Sequence, residues 1–212
     1  MDSLFLKGTI MRVTSIEKVN KSRAKVYIDG EYAFPLYNKD IILYQLEEGK
    51  EISVDVYEGI KDDVVFYRSK LKAMSLLMAM DRTEFELRHK LERVGYPDDV
   101  IDKTIKYIYS YGYLDDKKYA ASHIRGRKYN KSKLVIKMEL MKKGIDKDII
   151  EETIRAQYTF DDASEDPEII AIKKAISKKR VNLDDISWEN KQKLIASLYR
   201  KGFSIEKINQ LL

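Results

Sequence analysis

The residues that could do chemistry are few and poorly placed for it. The chain has two histidines, His89 and His123, and no cysteine. A catalytic triad needs a histidine beside a nucleophile and an orienting carboxylate, and neither histidine has that company in sequence. His89 falls between Thr83 and Gly95 and reads as a surface helix residue, His123 adjoins Ile124 in another helix, and neither is expected to serve catalysis or bind metal. Without cysteine there are no disulfides, thiolate zinc sites or thiol nucleophiles. No Walker-type glycine-rich loop occurs, which argues against ATP hydrolysis. Five Asp-Asp pairs (Asp62-Asp63, Asp98-Asp99, Asp115-Asp116, Asp161-Asp162, Asp184-Asp185) have the carboxylate density of a metal site. Most stand where a helix should begin, where a carboxylate accepts backbone N–H bonds and favours the positive dipole end. Capping is their expected role. No catalytic site, metal or cofactor is expected.

Binding chemistry is better represented. Between Arg125 and Lys143 stand eight basic residues, Arg125, Arg127, Lys128, Lys131, Lys133, Lys137, Lys142 and Lys143, against one acid, Glu139. A second group follows at Lys173, Lys174, Lys178, Lys179 and Arg180. Residues 1–66 hold 9 Lys/Arg against 12 Asp/Glu, a net of −3, and the remainder hold 31 against 23, a net of +8. Like charges gathered on neighbouring segments repel without return in the free protein, so a polyanion or an acidic protein surface is the expected partner. Lys133 and Lys137 are i, i+4 neighbours and read as surface positions, so reversing both to glutamate is expected to leave folding intact. The tyrosines Tyr107, Tyr109, Tyr111, Tyr113, Tyr119 and Tyr129 could stack on bases. Their spacing points instead to packing between helical units, with hydroxyls at the edge.

The elements that carry these residues fall into two textures. Residues 8–57 read mainly as strands: "GTIMRVTSIEKV", a hairpin in "RAKVYIDGEYAF" about Asp29-Gly30, and "EISVDVY". Between them "NKDIILYQLEEG" reads as a short helix capped by Asn38 and stopped near Gly49. From Gly59 onward apolar residues recur at helical spacing, and Pro97 and Pro167 stand where helices should start. The polar stretch 161–168, "DDASEDPE", reads as a linker or exposed turn. At 212 residues the chain suits one extended domain or two small ones. The N-terminal residues do not resemble a signal peptide, and no apolar run approaches the ~18 residues of a membrane span. A soluble cytoplasmic protein is expected.

One phrase is written three times: "LERVGY", "LMKKGI" and "LYRKGF". With Gly95, Gly144 and Gly202 in register, Leu91, Leu140 and Leu198 stand four residues earlier, and Leu87, Ile136 and Leu194 eight earlier. Thr83, Ser132 and Asn190 stand twelve earlier as N-caps; Ile101, Ile150 and Ile208 follow by six. Each unit therefore holds a capped helix, a glycine stop and a second helix. A further apolar-periodic helix precedes each pair, over about 62–80, 117–128 and 168–179. The glycine spacings of 49 and 58 leave 9 extra residues in the third unit, placed in "RVNLDDISW". The expected fold is mainly α: three tandem three-helix repeats (59–112, 113–160, 161–212) forming an elongated curved solenoid, preceded by a small α+β module (1–58).

These residues resemble the RecX family, regulators of the RecA recombinase. The most specific stretch is "GYLDDKKYA" at 112–120, followed by "IRGRKY" and "MELMKKGI". "AMSLLMAMDRTEFELRHKLERVGY" resembles the family's first unit, and "DGEYAF" the N-terminal region of longer members. Ser132 departs from the glycine usual at that position, and "MAMDRT" carries fewer arginines than the family pattern. The resemblance implies a non-enzymatic regulator that binds along the groove of the RecA–single-stranded DNA filament. It implies inhibition of recombinase, ATPase and co-protease activity. Partners would then be the RecA filament and, weakly, single- or double-stranded DNA, with a monomeric protein and no membrane. The charge pattern alone also admits a general nucleic-acid-binding helical repeat.

Overall fold

The computed structural model describes residues 10–159, 165–183 and 185–212. Asp161, Asp162 and Asp184, with the first half of the expected linker, lie outside the described residues. The chain divides into two compact units, Met1–Leu114 and Asp115–Leu212.

In the first unit, β1 (Ile10–Lys18), β2 (Arg23–Ile28), β3 (Glu31–Tyr37) and β4 (Glu51–Ser53) form an antiparallel sheet in the order β3-β2-β1-β4. The β2–β3 hairpin turns at Asp29 and Gly30, both at positive φ (51° and 86°), as an Asp-Gly pair in a two-residue loop should. Helix α1 (Asn38–Leu43) follows, one residue earlier than expected. Its first turn is held by Asp40, whose carboxylate accepts the Tyr37 N–H at 3.2 Å, while Asn38 Nδ2 donates to the Lys21 carbonyl.

The expected strand "EISVDVY" is only half a strand. Ser53 ends β4 and accepts the Val56 N–H at 3.3 Å, opening α2 (Val54–Gly59). A π-type segment (Ile60–Phe66) and α3 (Tyr67–Ala79) continue it, so the boundary drawn between residues 58 and 59 falls inside one helical run. The β preference of Val54 and Val56 gives way to the Ser53 cap, and the run that follows buries Ile60 and Val65. Helices α4 (Glu84–Glu92) and α5 (Asp98–Ser110) complete the first repeat. Sheet and repeat share one core, in which Val13, Val26, Phe34 and Leu36 join Ile60, Leu87, Leu91, Ile101 and Ile108.

The second unit holds α6 (Asp116–Arg125), α7 (Lys133–Lys142) and α8 (Lys147–Gln157), then α9 (Pro167–Ser177), α10 (Trp188–Arg200) and α11 (Ile205–Leu211). Ala120, Ile124, Ile136, Leu140 and Ile150 form one core, and Ile172, Leu194, Leu198, Phe203 and Ile208 another.

The repeated phrase has one physical meaning at all three places. Gly95, Gly144 and Gly202 take φ of 97°, 73° and 79°. The next residue's N–H returns to Leu91, Leu140 and Leu198, and the glycine N–H to Glu92, Met141 and Tyr199, which is the Schellman pairing. Tyr96, Ile145 and Phe203 fold back into the core. Thr83 and Ser132 cap α4 and α7 as expected, accepting N–H groups at 3.2 and 3.3 Å. The third cap is Ser187 rather than Asn190: Ser187 Oγ accepts the Asn190 N–H at 3.4 Å, so α10 starts nearly a turn early. The connection ahead of that cap, 178–187, is three residues longer than 126–132 in the second repeat, and α10 is three residues longer than α7, so the expected stretch holds only part of the 9 extra residues. Among the described residues, no helix is long and apolar enough to cross a membrane.

Candidate nucleic-acid interface

The two repeats of the second unit meet at a cleft of about 220 Å³ whose wall carries four lysines, Lys131, Lys174, Lys178 and Lys201. Each is placed by a helix end. Lys131 precedes the Ser132 cap of α7, Lys174 and Lys178 sit a turn apart at the end of α9, and Lys201 precedes the Gly202 stop of α10. Val135, Ala175 and Phe203 contribute the apolar lining.

Ser132 closes the joint. Its hydroxyl caps α7 and also donates to the Lys201 carbonyl at 2.8 Å. A Cβ on Gly202 would lie 2.8 Å from Ser132 Oγ and 3.2 Å from Leu134 Cβ, so Gly202 is needed for close approach as well as for its φ. Beside the cleft, Lys207 Nζ binds Asp166 at 2.5 Å and buried Glu168 at 2.8 Å, and Glu168 also accepts the Lys133 N–H at 3.3 Å. Burial works to raise the Asp166 carboxyl, but hydrogen bonds from Lys207 and the Glu168 N–H hold it below its usual range. The same pair lifts Lys207 above its usual value against the opposing pull of burial.

The thirteen basic residues expected to bind polyanions separate into two sets. Seven are engaged. Lys131 and Arg127 converge with His123 on Glu139, the lone acid of that stretch; Arg127 Nε stands at 3.4 Å and His123 Nε2 at 3.0 Å. Lys137 pairs with Glu151 and Lys173 with Glu165. Lys128 donates to the Gln157 carbonyl at 2.8 Å, Lys133 lies 4.5 Å from the Tyr158 ring centroid, and Lys143 lies 5.6 Å from that of Tyr119. The other six, Arg125, Lys142, Lys174, Lys178, Lys179 and Arg180, have exposed side chains with no ion pair among the described residues. Lys133 and Lys137 are therefore packing residues, and reversing both would disturb the fold as well as the surface charge.

His123 is buried beneath this network, and burial, helped by Arg127 and Lys143, holds it below its ordinary 6.5 against the pull of Glu139. Burial pushes the Glu139 carboxyl up, yet hydrogen bonds from Lys131 and His123 keep it below 4.5. The arrangement is a neutral imidazole under a fixed ion pair. Among the described residues no three metal-binding side chains come together.

Lys201 and Lys207 lay outside the expected set. Lys201 had a legible signal, because it occupies the position before the repeat glycine that Lys143 holds in the preceding repeat. Lys207 had none, since its acidic partners are 39 and 41 residues away in sequence.

Comparison with known proteins gives the lineage. The chain is 31% identical over 209 residues to the regulatory protein RecX of Clostridium acetobutylicum, covering 97% of this chain and 95% of that one. The chain belongs to the RecX family. Four RecX family models match in order: the N-terminal domain at residues 11–53 and the first, second and third three-helix domains at 70–107, 115–154 and 168–212. RecX of Bacillus velezensis is 33% identical, covering 93% of this chain and 74% of its own. A crystal structure of RecX from Lactobacillus salivarius matches with a TM-score of 0.58 and 28% identity, over 69% of this chain and 93% of its own. A second RecX crystal structure, 23% identical, shares the fold over 94% of the chain with a TM-score of 0.58.

Proposed function

We propose that this RecX-family protein is a non-enzymatic regulator of the RecA recombinase, acting as a cytoplasmic monomer. It binds along the groove of the RecA–single-stranded DNA filament and inhibits recombinase, ATPase and co-protease activity. The observation that carries the reading is the lysine cleft of the second unit. Lys174, Lys178 and Lys201 line it without carboxylate partners among the described residues, and phosphate oxygens are the groups that would relieve their repulsion. Along α7, Leu134, Met138 and Met141 form an exposed apolar stripe next to the basic residues, suited to a protein neighbour. A filament lined by both phosphate and protein would engage both features.

The test is RecA ATPase and strand exchange on preformed filaments. Substoichiometric protein should inhibit both, and no inhibition at any concentration would remove the reading. A general nucleic-acid-binding protein is the second reading, favoured by the cleft itself, whose lysines could meet the phosphates of any strand. It predicts tight, steeply salt-dependent DNA binding with no effect on the recombinase.

A further inference from the structure

Among the described residues four helices end in the same left-handed glycine turn, and one of the four breaks the pattern. At the end of α5, Gly112 takes φ 67°, its N–H returns to Tyr109 at 2.9 Å, and the Tyr113 N–H returns to Ile108 at 3.2 Å. In the other three turns the residue after the glycine is buried, at 6%, 4% and 3% exposure for Tyr96, Ile145 and Phe203. Tyr113 is 53% exposed. Its ring stacks on that of Tyr111, with centroids 6.0 Å apart and planes only 10° from parallel, and Tyr111 is itself 60% exposed. Tyr107, one turn back, lies 4.7 Å from Tyr111 and rests edge-on against Phe66, which anchors the ladder to the core. Tyr107 therefore packs, but within the first repeat and not between units, while Tyr111 and Tyr113 stand exposed.

A cation accompanies the rings. Lys70 Nζ stands 4.7 Å from the Tyr107 centroid and 4.5 Å from that of Phe66. Lys70 has no carboxylate partner among the described residues, and neither has the exposed Lys106 that precedes Tyr107 on α5. Exposed, near-parallel aromatic rings on a ladder whose inner ring, Tyr107, carries an unneutralised ammonium group suit a flat π-system carried on an anionic chain. A base attached to a phosphate backbone has both parts. In a duplex the base faces are covered by their neighbours, so the occupant must be unpaired.

We infer that Tyr111 and Tyr113 form a stacking platform for bases of single-stranded nucleic acid, with Lys70, held against Tyr107 at the inner end of the ladder, as the cation for an adjoining phosphate. The platform lies in the first unit and does not depend on the lysine cleft or on RecA. It would make the isolated protein prefer single strands over duplex, which phosphate contacts alone do not provide.

The experiment uses the full chain without recombinase, measuring anisotropy of labelled oligothymidylate, of an abasic oligomer of equal length, and of a duplex. Wild type should bind oligothymidylate about tenfold or more tighter than the abasic strand, the scale of one stacked base. Tyr111→Ala/Tyr113→Ala should erase that difference and leave duplex binding unchanged. Tyr111→Phe/Tyr113→Phe, which keeps the rings, should retain it. Equal wild-type affinity for thymidylate and abasic strands would overturn the inference, and that comparison needs no variant to fold. So would an alanine variant that still discriminates, or a phenylalanine variant that does not. If instead the alanine pair loses only recombinase inhibition, the patch is a protein-docking surface and the inference is wrong. Loss of the cleft lysines should weaken all three polymers and spare the discrimination, so failure of one site is distinguishable from failure of the other.

Discussion

Replacing Lys174, Lys178 and Lys201 with glutamine should flatten the salt dependence of DNA binding by an amount that can be worked out. The three ammonium groups line one cleft, are exposed, and have no ion-pair partner among the described residues. Each ammonium seated on a phosphate of a single strand contributes ~0.7 to the slope of log K against log salt, so three contribute about 2. Between about 50 and 200 mM salt that slope is a ~16-fold change in affinity, present in wild type and missing in the variant. Glutamine keeps most of each apolar stem, and the Lys201 carbonyl that receives the Ser132 hydroxyl is backbone, so stability should move by no more than roughly 0.5 kcal/mol. The assay is anisotropy titration of labelled oligothymidylate over a salt series, with a thermal melt of each protein. Lys137→Gln is the control: its ammonium is already held by Glu151, so the slope should barely change. A triple variant with the wild-type slope, or a Lys137 variant that loses as much, would refute the assignment of the cleft.

Gly202→Ala should destabilise the second unit by about 2–4 kcal/mol, through left-handed strain and the displaced Ser132 hydrogen bond. Gly112→Ala, at φ 67° with nothing within 4 Å of the added carbon, should cost only about 1–2 kcal/mol, and urea melts of the two compare them directly. Leu140→Ala removes a fully buried side chain from the core of the second repeat and should cost roughly 2–5 kcal/mol by the same measurement. The pH dependence has a definite sign. His123 titrates lower folded than unfolded, so the unfolded chain binds its proton first and stability falls as pH drops through 6.5. Glu139 and Asp166, also lowered, hold stability above 4.5 and 3.8 that disappears in stronger acid, whereas Lys207, raised, loses its contribution only above 10.5. Melting temperature followed from neutrality into acid checks this, and His123→Gln should abolish the first step and weaken the Glu139 step, which His123 helps to lower.

Local rules read well from this chain because local forces settle them. Glycine at φ near 80°, leucine four residues before it and an apolar residue behind it specify a helix stop wherever they occur, and all three stops formed. The Asp-Gly turn, the caps at Thr83 and Ser132 and the proline starts belong to the same class. Two local signals gave way to another: Ser187 and not Asn190 caps α10, and the Ser53 cap turns half of an expected strand into a helix. Neither contest can be judged from residue type alone, because serine and asparagine are comparable N-caps and the β preference of valine yields to context.

The amino-acid sequence by itself determined the three-fold helical plan, the strand-rich front and the concentration of positive charge after residue 66, since each follows from residue type and spacing of a few positions. Which cations are free was decided only by the tertiary structure. Glu139, Glu151 and Glu165 each neutralise lysines met through packing, and Ser132 and Gly202, 70 positions apart in the chain, bring Lys201 to the cleft. The exposure of Tyr111 and Tyr113 was decided there too, because a Schellman turn fixes where the next side chain starts but not whether a core lies beneath it. Charge and aromaticity belong to residues; availability belongs to the fold, because it is set by neighbours that the chain brings together only when it closes.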